Sequence, residues 1–183
     1  MSLPRGLTLG LLLLCLTLPV RAALFENQGT ALEQELAQAR QSGRLLVVLF
    51  ELENCPTCLQ LKREVLSKPD AQRLFGRRFR TVTVNLDTQA EVTTPAGEHL
   101  PTRAWAQQIG VLGTPALVFF DARGQILYRH LGPVADCPEL VLLGRFVADR
   151  EFENQPYLAY LQGQFTQLRA KGRSRNEICH SKN

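Results

Sequence analysis

Cys55-Pro56-Thr57-Cys58 is the segment that most narrows what this chain can fold into, because of what stands on either side of it. Leu45 to Phe50 before it is an unbroken apolar run rich in valine and leucine, the mark of a buried strand. Leu59 to Leu66 after it is helix-forming, with Leu59, Lys62 and Leu66, and Leu61 with Val65, at helical spacing. The two cysteines therefore fall where a strand hands over to a helix. Cys55 is predicted at the N-cap and Pro56 at the first helical position, where a missing N–H and a fixed φ cost nothing.

Thiols in that position suit disulfide exchange. The free N–H groups of a helix start favour negative charge, which lowers a thiol's pKa from its free value of about 8.5. Cys55 is thus the expected attacking thiolate, and Cys58, one turn further in, the expected resolving thiol. Half of a zinc site is the competing reading, but that needs two more closely spaced ligands, and Cys137 and Cys179 stand apart. A purely structural disulfide is the other, and a three-residue separation staples nothing distant.

The N-terminus speaks for export. Arg5 precedes an apolar stretch from Leu7 to Leu18, followed by Val20-Arg21-Ala22, which reads as a secretory signal peptide over residues 1–22, with cleavage after Ala22 or Ala23. The stretch is shorter than the ~20 residues of a spanning helix, although an uncleaved anchor is the alternative. Cys15 follows Leu14 rather than a small residue, so it is read as lost with the signal and not as a lipid attachment point. Cleavage leaves Cys55, Cys58, Cys137 and Cys179. That even count fits one catalytic and one structural pair, or one pair and two unpaired thiols.

About 160 residues then remain, enough for one domain of about 150 with a single core. Residues 23–168 are expected to form it, and 169–183 to be a polar basic tail. The formal charge of +4 is carried partly by Arg5 and Arg21 and partly by Arg169, Lys171, Arg173 and Arg175. No aromatic residues interleave with those last charges, so the tail reads as solvated and not as a nucleic-acid surface.

Helix and strand patterns alternate. Thr30 with Glu33 reads as a capping box opening a helix with Leu32, Leu36 and Ala39 on one face. Phe79 to Leu86 reads as a second core strand, parallel to the first through a right-handed crossover. Asp87 to Pro101 is expected to be a long loop, and Thr102 to cap a short helix carrying Trp105, Ala106 and Ile109. Ala116 to Phe120 and Gln125 to His130 form a hairpin turned by Asp121-Ala122-Arg123-Gly124. Asp136 or Cys137 starts a late core helix, and Tyr157 to Leu168 one more. Pro115, at the mouth of a buried strand, cannot donate to the ladder. Either the Thr114-Pro115 bond is cis, turning the Thr114 backbone outward beside Cys55, or this is an ordinary trans proline on an edge strand.

Taken in this order, CPTC after an apolar strand, GTP before another and an Asp-x-x-Gly hairpin after that, the chain resembles the thioredoxin superfamily from about Arg44 to Val147. More narrowly, Arg63-Glu64-Val65-Leu66-Ser67, Val84-Asn85-Leu86-Asp87 and Gly113 to Asp121 resemble the periplasmic thioredoxin-like proteins of the SoxW type, as does the Tyr157 to Leu161 helix. The resemblance implies an α/β thioredoxin-like fold with a central mixed β-sheet flanked by helices. It implies Cys55 as nucleophile, Cys58 as resolving thiol and Pro115 as cis proline, with Pro56, Thr57, Thr114 and Pro115 meeting the substrate. It also implies no cofactor beyond the Cys55–Cys58 couple and no metal. Expected partners are client proteins bearing cysteines or disulfides and a membrane electron donor of the DsbD or CcdA type. The protein is expected in the periplasm as a monomer.

Two departures stand out. Leu49 occupies the position of the buried aspartate of cytoplasmic thioredoxin, and Asn54 that of its tryptophan before the motif. Glu51 or Glu53 is the available substitute acid, unless both are simply solvated. His99, His130 and His180 have no motif around them and read as surface or packing residues. The leading function is an exported thiol-disulfide reductase. A DsbA-like disulfide-forming oxidase and a non-catalytic peptide-binding or chaperone module are the alternatives.

Overall fold

The computed structural model describes residues 24–179. The signal-peptide expectation over 1–22, Cys15 and His180 lie outside them.

Strand β1, Leu45–Glu51, is the middle of the molecule. It runs parallel to β2, Phe79–Asn85, and antiparallel to β5, Ala116–Phe120, which pairs in turn with β6, Ile126–Leu131. The resulting sheet has the order β2-β1-β5-β6 and is mixed. Helices cover both faces, which is why β1 and β5 are apolar at nearly every position instead of alternating. Val47, Leu49, Leu117 and Phe119 point into one cluster with Phe75, Phe79, Leu140, Leu143 and Phe146. Leu46, Val48, Phe50, Val82, Val84, Val118 and Phe120 point into the other, against Leu32, Leu36 and Trp105.

The helices are α1 (Leu32–Gln41), α2 (Pro56–Gln60), α3 (Pro69–Arg78), α4 (Thr102–Gln108), α5 (Cys137–Ala148) and α6 (Tyr157–Ala170). A short two-stranded ribbon joins β3 (Glu91–Thr93) to β4 (His99–Pro101). Asp121 Oδ1 accepts from the N–H groups of Arg123 and Gln125 at 2.8 Å, closing the β5–β6 turn. Gly124 there has φ +81°, and a Cβ would meet Leu36 and Pro95 within 3.3 Å. Gly144 lets α5 approach α3, since a Cβ would stand 2.9 Å from the Phe75 ring.

Several expectations need correction. The helix after Cys58 does not continue as one α-helix: Leu61–Leu66 is a π-helical turn that buries Leu61, Val65 and Leu66, while Leu59 points out. The Thr30 capping box is not formed; α1 is capped at Ala31 without a side-chain bond, and the Thr30 carbonyl accepts from Thr93 N–H instead. Residues 87–101 are not a plain loop but contain the β3–β4 ribbon. Thr102 is the first residue of α4 rather than its cap, and its buried hydroxyl finds no partner.

Arg169 to Glu177 are exposed, as expected of a solvated tail, but the end of the described segment is held on the core. After α6 the chain turns back into a 3-10 helix, Arg175–Cys179, whose Ile178 and Cys179 pack on the α5 side of the core. Arg175 pairs with Asp136 at 2.5 Å.

Candidate active site

The disulfide sits at the C-terminal end of β1. Cys55 is the N-cap of α2 in extended backbone, Pro56 opens the helix, and Cys55 and Cys58 are bonded, with their Cα atoms 5.2 Å apart. Three donors surround the Cys55 sulfur. Cys58 N–H reaches it at 3.2 Å, the Thr114 hydroxyl at 3.5 Å, and the Thr57 hydroxyl lies 3.4 Å away. A thiolate formed there would receive charge-assisted bonds from backbone and side chains at a helix start, the environment that depresses a thiol pKa. Cys58 is 2% exposed and Cys55 6%, so the outer sulfur is the one an incoming thiol or disulfide can reach.

The second wall comes from the segment before β5. Thr114-Pro115 is a cis peptide bond, and Pro115 O accepts from Gly132 N–H at 2.9 Å, which brings the end of β6 to the same rim. The fold thus gathers Cys55, Pro56, Thr57, Cys58, Thr114 and Pro115, separated by up to 60 positions, around one disulfide. Pro56 and Thr57 are exposed, Thr114 half-buried and Pro115 buried.

The two acids separate. Glu51 is buried and bonds Lys62 Nζ with both oxygens, at 2.6 and 2.8 Å, tying the end of β1 to the first turn after Cys58's helix. Glu53 is exposed, and its N–H donates to Asp87. Leu49 lies fully buried in the core. His99 bonds the Thr93 hydroxyl at 3.0 Å, away from the disulfide. His130, on β6, packs edge-on against Tyr157 with its Nε2 buried and unpaired. Burial holds its pKa below the usual histidine value, against a Pro133 backbone bond and Glu139, which pull it up.

Cys137 and Cys179 form a disulfide, Cα–Cα 6.1 Å, between the first residue of α5 and the end of the C-terminal 3-10 helix. It does not join the Cys55 site. Among the described residues no cluster of three or more histidine, cysteine or acidic side chains could hold a metal ion, and no helix is long and apolar enough to cross a membrane.

Sequence reading did not single out three exposed leucines on the segments that build this site. Leu59 follows Cys58, Leu112 lies three residues before Pro115, and Leu131 ends β6. They are 48, 83 and 53% exposed, three of the four large exposed hydrophobics among the described residues. The signal was available for Leu59, which falls outside the stripe of Leu61 and Val65.

A mixed sheet with a CxxC disulfide at a helix N-cap, facing a cis proline, defines the thioredoxin-like class of thiol-disulfide proteins. The thioredoxin-like domain family matches residues 32–141, and the chain belongs to it. Membership and the Cys55–Cys58 disulfide together make it a protein thiol-disulfide oxidoreductase. Among curated proteins it is similar to the thiol:disulfide interchange protein DsbD of Tatumella citrea, 32% identical over 106 residues, 57% of this chain and 16% of that protein. The chain therefore spans about a sixth of the curated relatives it matches. Among solved structures it resembles the DsbH oxidoreductase, with TM-score 0.52 and 20% identity over 79% of this chain and 95% of that one. It also resembles a thioredoxin-fold protein from Helicobacter pylori, with TM-score 0.55 and 16% identity over 68% and 86%. These two likenesses concern the fold.

Proposed function

We propose that the protein is an exported thiol-disulfide reductase of the SoxW type, which keeps client cysteines reduced in the periplasm with electrons from a DsbD- or CcdA-type membrane donor. The observation that carries the redox role is the setting of the two sulfurs. Cys55 stands at a helix N-cap with three donors on it, and Cys58 lies beneath, sealed from solvent.

In the reduced protein, the Cys55 thiolate attacks one sulfur of a client disulfide, forming a mixed disulfide and expelling a client thiolate. Cys58, deprotonated, then attacks the Cys55 sulfur. The Cys55–Cys58 bond re-forms, and the client leaves with both thiols and two electrons. Thr114, turned toward Cys55 by the cis bond, and the Leu59, Leu112 and Leu131 rim meet the client chain. The donor returns two electrons by the reverse exchange. An exported protein cannot draw directly on cytoplasmic NADPH, and likeness to part of DsbD supports a donor of that chemistry.

A disulfide-forming oxidase is the second reading. It is favoured by the three donors on Cys55, since stabilising the thiolate favours the reduced protein. Cys58→Ser tests the shared chemistry: expressed in the periplasm, it accumulates reducible mixed disulfides through Cys55. Absence of such species, with Cys55→Ser retaining full cellular function, would reject both redox readings in favour of a non-catalytic binding module.

A further inference from the structure

The C-terminal half of α6 and the turn that follows border an open cavity of about 410 Å³, lined by Gln162, Phe165, Arg169, Arg173, Ser174 and Arg175. Half of its lining residues are arginines. Carboxylates set two of them in place: Arg173 Nε donates to Glu177 at 2.8 Å, and Arg175 Nη2 to Asp136 at 2.5 Å. Each guanidinium carries five N–H donors in a rigid fork, so one such bond orients the group and leaves donors over. Arg169 makes no ion pair among the described residues and touches only the Thr166 hydroxyl, at 3.4 Å. The Glu177 carboxyl, held by Arg173 and the Ser174 N–H, lies below its usual pKa and stays ionised as an anchor.

The walls are as informative as the charges. Phe165 packs on the core, and Arg175 lies over its ring at 4.5 Å. The cavity is within the range of small-molecule sites, ~300–1,000 Å³, which is more room than a bare oxyanion needs. The turn carrying Arg173 and Arg175 is clamped at its far end by Cys179, bonded to Cys137 at the start of α5. Ordering therefore precedes binding, and forked donors suit a carboxylate, sulfonate or phosphate.

We infer that this cavity binds a small organic anion, its charged head on Arg169 and Arg173 and its apolar body against Phe165, independently of the Cys55–Cys58 centre. Free metabolites and anionic lipid headgroups both offer that chemistry, and the test separates them.

Phenyl phosphate, inorganic phosphate and vesicles containing phosphatidylglycerol would be titrated into the full chain at physiological salt, followed by NMR of the arginine Nε–H and Phe165 ring signals. Saturable shifts with phenyl phosphate, tighter than with inorganic phosphate, are expected, and Arg169→Gln should weaken them about tenfold, one lost charge-assisted contact. Arg169 holds no structural ion pair, so that variant keeps its melting temperature and its disulfide-exchange rate. Preference for vesicles over soluble phenyl phosphate would make the head a lipid's. Shifts that never saturate, or are unchanged by Arg169→Gln, would overturn the site.

Discussion

Thr57→Val removes one of the three donors on the Cys55 sulfur while keeping the side chain's shape. A hydrogen bond to a charged group contributes about 1.5–3 kcal/mol net. Thr57 is exposed, and its oxygen is 3.4 Å from the sulfur, so solvent replaces part of the loss. About 1 kcal/mol is the working figure. At 1.36 kcal/mol per unit this raises the Cys55 pKa by about 0.7. Because a hydroxyl bonds a charged sulfur more strongly than a disulfide sulfur, the loss falls mainly on the thiolate, and the reduced protein is disfavoured above that pKa. The couple then becomes more negative by about 20 mV, from the scale of ~30 mV per 1.4 kcal/mol. Thiolate absorbance against pH measures the first shift and glutathione equilibration the second. Thr57→Ser, which keeps the hydroxyl, should behave as wild type. An unchanged or lowered Cys55 pKa in Thr57→Val would refute the claim that side-chain donors tune this sulfur.

Removing the second disulfide as Cys137→Ala/Cys179→Ala opens a loop spanning 42 positions. The chain-entropy relation assigns this ~4 kcal/mol, a fall of roughly 8–16 °C in a domain of this size, read by thermal melting. Exchange at Cys55 should be retained below the new melting point. His130 has a depressed folded-state pKa, so the unfolded chain binds its proton more readily. The stability this gives is complete above the unfolded value of ~6.5 and falls as pH drops toward and through the folded one. Denaturant unfolding of His130→Phe should accordingly show a flatter loss between about pH 7 and pH 5 than wild type, and equal slopes would contradict it. Leu112→Ser, at an 83% exposed position, should leave stability within about 0.5 kcal/mol. It should slow reduction of a protein disulfide without slowing that of a small aromatic disulfide, and equal effects on both would remove the rim from client binding.

Much of this fold is legible in residue order because its strands are long and strongly apolar. Ala116 to Phe120 is a strand with the predicted bounds, and Cys55 with Pro56 opens α2 as helix-start preferences require. What escaped reading is held by tertiary contacts. Glu91-Val92-Thr93 and His99-Leu100-Pro101 are too short for a period to show, and Thr93 is paired with both His99 and Ala31. Those pairings also claim the Thr30 backbone, which is why the capping box is not formed. The π-helical turn arises where Leu61, Val65 and Leu66 all turn inward at spacings of four and five, a pattern an α-helix cannot satisfy on one narrow stripe. The basic tail looks solvated by composition alone, yet Cys179 and Ile178 give it a place on the core. At the site, the sulfurs and Pro115 are readable from motif chemistry. The Glu51–Lys62 pair is not, because only the folded chain shows that Glu51 is buried while Glu53 stays in water.

Equilibrating the purified protein with glutathione buffers and measuring the potential of the Cys55–Cys58 couple tests the proposed direction of transfer most directly. A potential near or below thioredoxin's ~−270 mV is the result expected of a reductase supplied from the membrane. One near the ~−120 mV of DsbA would contradict it and make the protein an oxidant of its clients.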